Sequence, residues 1–251
     1  MKKKEVKPEN WRTEVYILIP AYNAAHQLLK LLPSLLSLVP NNKICIVNDG
    51  SHDNTEEVCS SFNITCLSQY KNGGKGAALK IGFSYLMEHG AQWILTMDAD
   101  GQHAVEDIPS FIDLLKKYPR AGIIGGSRKL TPRNMPVARV FSNRITSLFL
   151  SLICHKKILD SQCGFRMYST ELLKNISLHY KHFEMESEII LKACFSGFQI
   201  FFIPIQTLYF SDQSHISHIK DIIRWIRAVI TIWIENKKSK NKKESDRNVW
   251  V

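Results

Sequence analysis

Two carboxylates one residue apart, at the end of an apolar run, are the groups in this chain best placed to do chemistry. They stand in Ile94-Leu95-Thr96-Met97-Asp98-Ala99-Asp100-Gly101-Gln102-His103. The apolar run predicts a buried strand that delivers acids to its exit loop. In extended backbone residues i and i+2 point the same way, so Asp98 and Asp100 can aim at one spot. Carboxylates sharing a site repel unless a cation sits between them, and hard oxygen ligands suit magnesium or manganese. A divalent ion at a strand end is a grip for a diphosphate. Taken alone, Asp-Ala-Asp-Gly is equally a polar turn, because Asp and Gly are turn residues.

Other residues acquire meaning beside this pair. Asp49, in the turn Asn48-Asp49-Gly50-Ser51, follows an apolar run and is placed to accept hydrogen bonds from a base or ribose. Asn72-Gly73-Gly74-Lys75-Gly76 fails the phosphate-loop pattern, which needs a Gly where Gln69 stands and a Ser or Thr where Gly76 stands. What survives is a Gly-rich helix start with one lysine, favourable for an anion through backbone amides and the helix dipole. Arg128, Arg133, Arg139, Arg144 and Arg166 could each hold a phosphate by bidentate contacts, although a lone arginine is more often a surface residue. Glu184, Glu186 and Glu188 open a helical segment, Glu184 and Glu188 on one face and Glu186 on another. One of them is a candidate general base if an acceptor is a hydroxyl.

The elements that must position these groups follow from hydrophobic spacing. Strands are expected at Val15 to Ile19, ended by Pro20, at Ile44 to Val47, Ile64 to Leu67 and Trp93 to Met97. Helices are expected from Ala24, interrupted by Pro33, from Asp53 as a cap through Val58, and from the Gly-rich turn through Leu86. Strand, loop and helix thus repeat, which predicts an α/β fold with a mostly parallel sheet and ligands at the strands' carboxyl ends. Pro20 to Asn23, Asp49 to Ser51 and Asp98 to Gln102 all fall at that edge. A stray polar turn does not predict two further polar loops beside it, so a metal and nucleotide site becomes the preferred reading. Further on, helices are expected at Ile108 to Leu115, Val137 to Cys154 and Phe183 to Phe195. Strands are expected at Ala121 to Gly125 and Gln199 to Phe210.

The chain has 251 residues and a formal charge of +10, which favours anionic partners. Much of that charge lies in lysines at the two ends, where solvation is its ordinary role. A basic nucleic-acid-binding protein is the reading from another class; no recognition helix, zinc spacing or aromatic RNA motif supports it. The six cysteines form no Cys-x-x-Cys pair and read as reduced core thiols of a cytosolic protein. No apolar stretch follows the amino-terminal lysines as in a signal peptide, and none reaches the roughly 20 residues needed to span a bilayer. Residues 1–13 read as a polar lead-in, 14–217 as one catalytic domain, 218–236 as an amphipathic helix and 237–251 as a basic tail expected to be disordered. That helix, with Ile219, Ile222, Ile223, Ile226, Val229, Ile230, Trp233 and Ile234 opposite Lys220, Arg224 and Arg227, packs either on the sheet or in a membrane interface. Val140 to Cys154 has similar character.

The ordered set of motifs resembles the family-2 glycosyltransferases of the GT-A (Rossmann-like) fold, within them the dolichyl- or polyprenyl-phosphate mannose and glucose synthases. It comprises Ile19 to Asn23, Val47 to Ser51 with Asp53 and Thr55, Asn72 to Gly76, Asp98 to His103, Gly126 to Arg128, Asp160 to Arg166, Phe183 to Glu188, and Tyr209 to Ile216. The resemblance spans roughly residues 14 to 227. It implies that Pro20, Ala21, Tyr22 and Asp49 hold the nucleotide base and ribose, with Asn23, Ser51, Lys75 and Asp98 in the same nucleotide site. It implies that Asp98, Asp100 and Gln102 bind Mg2+ or Mn2+ on the donor diphosphate, with His103 outside the set. Arg128 and, more loosely, Arg139 would face an acceptor phosphate, with Arg166 the third arginine of that group. The expected reaction is inverting transfer of a hexose from a nucleotide-diphosphate sugar to a polyprenyl phosphate, from a peripheral position on the cytoplasmic membrane face. Asp100 and Arg128 would be catalytic, and Glu186 would be the base if the acceptor were a saccharide or lipid hydroxyl.

Overall fold

The computed structural model describes residues 14–129, 137–208 and 218–248. Seven strands form one sheet in the order β3-β2-β1-β4-β6-β5-β7. They are β1 (Val15–Ala21), β2 (Ile44–Asn48), β3 (Thr65–Ser68), β4 (Trp93–Thr96), β5 (Ala121–Arg128), β6 (Arg166–Ser169) and β7 (Gln199–Ile205). β1 pairs in parallel with β2 and β4, β2 with β3, and β5 with β7. β6 alone runs antiparallel, wedged between β4 and β5. The reversal brings the loop that enters β6 to the edge where its neighbours end.

Helices cover both faces, as parallel strands require for burial. On one face α1 (Ala25–Leu36), α2 (Thr55–Ser61) and α4 (Ile108–Lys117) pack Leu28, Leu32, Phe111 and Ile112 against Ile17, Ile19, Ile46 and Leu95. On the other, α3 (Lys75–Glu88), α5 (Val137–Cys154) and α7 (Glu184–Phe195) bury Leu79, Phe83, Leu150 and Ile189 against Leu18, Val47 and Ile94. The short α6 (Thr170–Asn175) follows β6, and α8 (His218–Asn248) packs on α7. There Trp225 Nε1 donates to Ser187 Oγ at 2.8 Å, while Ala228, Val229 and Ile232 are buried.

Several boundaries differ from expectation for identifiable reasons. Pro20 does not end β1, which continues to Ala21 with Pro20 opposite Val47. The ladder to β4 has stopped at Leu18, so the missing proline N–H falls where β1 has only one neighbour. Pro33 lies inside α1 on its exposed side without ending the helix. β7 stops at Ile205, short of Phe210. Helix α8 runs on to Asn248, past Asn236 and through most of the tail expected to be disordered. Lys, Glu and Arg are strong helix formers, and no Gly or Pro follows His218 to end it. The expected stripe of α8 also divides: it packs on α7 rather than on the sheet, and Ile222, Ile223, Ile226, Ile230, Trp233 and Ile234 stay exposed.

Candidate active site at the carboxyl edge of the sheet

The loops after β1 and β2 clasp each other. Asn23, in the left-handed region at φ 49°, donates its N–H to Ser51 Oγ at 2.8 Å and accepts from His52 N at 2.8 Å. Asp53 accepts from Thr55 N at 3.1 Å and Ala25 N at 3.0 Å, so one carboxylate caps the first turns of α1 and α2. Ser51 and Asn23 are therefore committed to loop shape, while Tyr22 is 47% exposed beside them.

Asp49 is buried, and its carboxylate organises the Gly-rich turn. It accepts from Gln69 Nε2 at 2.7 Å and from the amides of Gly73 and Gly74, each at 2.8 Å. Gly74 has φ +92°, and a Cβ there would lie 2.3 Å from His182 Nδ1, so both the dihedral and the space call for glycine. The turn delivers Lys75 as the first residue of α3.

Lys75 sits between two carboxylates. Its Nζ is 2.6 Å from Asp98 Oδ1 and 2.9 Å from Glu186 Oε1. Burial alone would lower the lysine and raise the Asp98 carboxyl, but mutual charge overrides it. Lys75 is held above its ordinary value by Asp98 and Glu186, and Asp98 below the usual carboxylate range by Lys75 and His103. Gly164, in the loop entering β6, closes over this pair: a Cβ there would stand 2.5 Å from Asp98 Oδ2 and 2.7 Å from Lys75 Nζ. Thr96 Oγ1 pins that loop by donating to Gly164 O at 2.8 Å.

Asp100 is exposed, and its Oδ1 accepts from Gln102 N at 2.9 Å. Its carboxyl is raised by desolvation in the crowded cleft and by the adjacent Asp98 charge. His103, given no part by the sequence, is buried with Nε2 3.4 Å from Asp98 Oδ2, and its ring stacks on Phe165 at 5.0 Å. Nothing in the sequence except its distance of five residues from Asp98 signals this.

The second cluster centres on Asp160, which has no exposed surface. Arg128, at the end of β5, grips it with Nε at 2.8 Å and Nη2 at 3.0 Å. Asn143 of α5 donates to the same carboxylate at 2.7 Å. Arg128 outweighs burial and holds Asp160 below the usual carboxylate range.

The remaining candidates separate. Arg166 is fully buried and donates to the carbonyls of Glu186 at 3.2 Å and Asp160 at 3.3 Å, so it braces the cleft from within instead of facing an acceptor. A sequence reading cannot distinguish a guanidinium aimed inward at carbonyls from one aimed outward. Glu188 is enclosed by Lys192 Nζ at 2.7 Å and by the amides of His179 and Tyr180, which removes it as a base. Glu184 is buried. Arg133, the Arg139 side chain and the Tyr209 to Ile216 stretch lie outside the described residues.

With the cleft at the strand ends in place, the comparisons decide the family. Residues 16–177 match the family model "Glycosyl transferase family 2". The chain belongs to glycosyltransferase family 2. It is 30% identical over 217 residues to the UDP-N-acetylglucosamine–dolichyl-phosphate N-acetylglucosaminyltransferase of Methanococcus voltae, covering 78% of this chain and 86% of that one. It is 26% identical to the polyprenol monophosphomannose synthase of Mycolicibacterium smegmatis, covering 75% of each. The glucosyl-3-phosphoglycerate synthase of Mycobacterium tuberculosis, solved with Mn2+, UDP-glucose and phosphoglyceric acid, shares 13% identity and a TM-score of 0.68. That match covers 94% of this chain and 85% of that one. The likeness to this structure is one of fold, and the fold is GT-A.

This glycosyltransferase also passes a test of donor chemistry for a hard divalent ion. Asp98, although offset by Lys75 and His103, still raises the neighbouring Asp100 carboxyl, a repulsion that a cation would relieve, and Gln102 two residues on carries a further amide oxygen of the same hard type. Among the described residues no group of three or more His, Cys, Asp or Glu gathers as a metal cage. Two carboxylates and an amide fit an ion that completes its shell with phosphate and water.

Proposed function

We propose that this glycosyltransferase moves a hexose, with inversion, from a nucleotide-diphosphate sugar to a polyprenyl phosphate at a membrane surface. The observation that carries the acceptor class is the state of the candidate bases. Glu186 is bound to Lys75 at 2.9 Å and Glu188 is enclosed, neither being the placement of a base that must take a hydroxyl proton. A phosphate acceptor is already anionic and needs none. The relatives named as acting on dolichyl phosphate or polyprenol support the same class.

In this reading Pro20 to Asn23 and the loop shaped by Asp49 cradle the nucleotide. Asp98, Asp100 and Gln102 would hold Mg2+ or Mn2+, which offsets charge on the departing diphosphate when bound. Lys75, beside Asp98, adds a fixed positive charge near that diphosphate. Arg128 meets the acceptor phosphate, held in a fixed plane by Asp160 so that it loses little freedom on binding.

Two exposed apolar faces support attachment to a bilayer. On α5 Val137, Phe141, Ile145, Leu148 and Leu152 recur at helical spacing, each 48% exposed or more. Helix α8 carries exposed Ile222, Ile223, Ile226, Ile230 and Ile234, and meets α5 through the rings of Trp225 and Phe149 at 6.1 Å. Arg224, Arg227, Lys237 and Lys238 are exposed on α8, as an anionic surface requires. No helix among the described residues is long and apolar enough to cross a membrane. The test is a panel of UDP- and GDP-sugars incubated with polyprenyl phosphate, with and without Mn2+. A sugar-phosphate lipid of inverted anomeric configuration is expected, and transfer only to free saccharide hydroxyls would sink the reading.

A further inference from the structure

Helix α5 carries more than an apolar face. Its opposite side holds a buried polar chain that ends on Arg128. Asn143 has no exposed surface, and both ends of its amide are used. Nδ2 donates to Asp160 Oδ1 at 2.7 Å, and Oδ1 accepts from Ser147 Oγ at 2.9 Å. Ser147 Oγ also accepts from Ser161 N at 2.9 Å, fixing the loop that bears Asp160. Thr146 Oγ1 meets Ser161 Oγ at 2.8 Å from the next helical position. Asp160 in turn takes Nε and Nη2 of Arg128 side by side.

Asn is a poor residue for a helix interior, and a buried amide is costly unless both its ends are satisfied. Here the hydroxyl of Ser147 and the carboxylate of Asp160 set the amide in one orientation, with its donor towards the acid. Without that donor Asp160 keeps Arg128 and the amides of Arg128 and Gln162 but loses the shortest of the contacts that fix its carboxylate plane apart from the guanidinium itself, and the guanidinium turns with it.

We propose that Asn143 is a positioning residue for Arg128, acting through Asp160, so that the helix presenting its apolar face to solvent also sets the arginine that meets the acceptor phosphate. This rests on Arg128 facing that phosphate. The step is one of orientation, with no bond made or broken at Asn143.

The test uses the full chain, with farnesyl phosphate as acceptor probe and Mn2+ with UDP or GDP as nucleotide probes, binding being measured by calorimetry. Asn143→Ala is expected to weaken farnesyl phosphate about tenfold, the size of one hydrogen bond to a charged group. Nucleotide affinity should not move, which separates positioning from general loosening of the fold. Asn143→Asp, which sets a second carboxylate against Asp160, should weaken it further, and Ser147→Ala by about two- to threefold. In an Arg128→Ala background Asn143→Ala should add nothing, because the route runs through that arginine. An equal loss in both backgrounds, or parallel losses of farnesyl phosphate and nucleotide, overturns the proposal. If Arg128→Ala leaves farnesyl phosphate binding intact, the acceptor role of Arg128 falls and this inference with it. If Arg128→Ala weakens binding but Asn143→Ala does not, only the positioning role falls. Should Asn143→Ala fail to fold, Ser147→Ala decides: an unchanged affinity overturns the proposal.

Discussion

The two charged clusters of the cleft are built on opposite plans. In one a cation, Lys75, lies between carboxylates from two elements, Asp98 after β4 and Glu186 on α7. In the other a carboxylate, Asp160, is surrounded by donors: three from Arg128, one from Asn143 and one from the Gln162 amide. Asp98 retains 28% side-chain exposure and Asp160 none. The first cluster is open to a ligand, and Lys75 keeps one carboxylate partner if the other turns to a metal. The second has no slack, because removing its centre strands an arginine and an amide together. The Lys75 cluster is thus arranged for exchange and the Asp160 cluster for rigidity.

The sharpest separation should come from function. Asp100→Ala is expected to lower metal-dependent turnover by roughly a hundredfold or more while leaving the fold intact, since its carboxylate is exposed. Near-normal Mn2+-dependent activity in that variant would remove Asp100, the carboxylate next to the open cluster, from the chemistry. Stability should show the reverse ranking. Asp160→Ala is expected to cost about 3–5 kcal/mol by urea denaturation, because it leaves buried partners uncompensated. Glu186→Gln, which leaves Lys75 its bond to Asp98, should cost only about 1 kcal/mol. Equal losses would erase the distinction between the clusters.

Acid pH provides a smaller measure of the same difference. The Asp160 carboxyl lies below its ordinary value in the folded state, with Arg128 overcoming burial. Its contribution is therefore complete above the ordinary carboxylate range, and is lost as pH falls through the depressed folded value. Unfolding free energy measured across that acid range should decline less steeply in Asp160→Asn than in the unaltered chain, and an identical slope would contradict the assignment. The smallest effect on the fold is expected at α5, where Phe141→Ser with Leu148→Ser should change stability by no more than about 1 kcal/mol, about 0.5 per exposed site. The same pair should abolish sedimentation with anionic phospholipid vesicles. Unchanged vesicle binding would detach the apolar face from the membrane.

Much of the edge formed by the loops after β1 to β4 is legible in the chain because those loops are local. Each follows its own strand, so Asp49, Lys75, Asp98 and Asp100 announce themselves by a short apolar run and a polar turn. The parallel order of β1 to β4 follows from the same repeat. The Asp160 cluster is not local in this sense. Asp160 meets Arg128 across 32 positions and Asn143 across 17, and Glu186 reaches Lys75 from α7. Spacing marks none of these pairings, and it gives Arg128 and Arg166 the same standing.

The sequence by itself determined the alternating elements, the acidic strand end and the Gly-rich turn, because hydrophobic period and turn chemistry act over a few residues. Tertiary structure alone decided that β6 runs backwards, carrying Gly164 over Asp98 and Asp160 under Arg128. It also decided which charged groups face inward: Arg166 braces carbonyls, Glu186 answers Lys75, and His103 sits against Asp98. The reason is that a buried charge takes its meaning from the partner that satisfies it, and that partner is chosen by packing between distant segments.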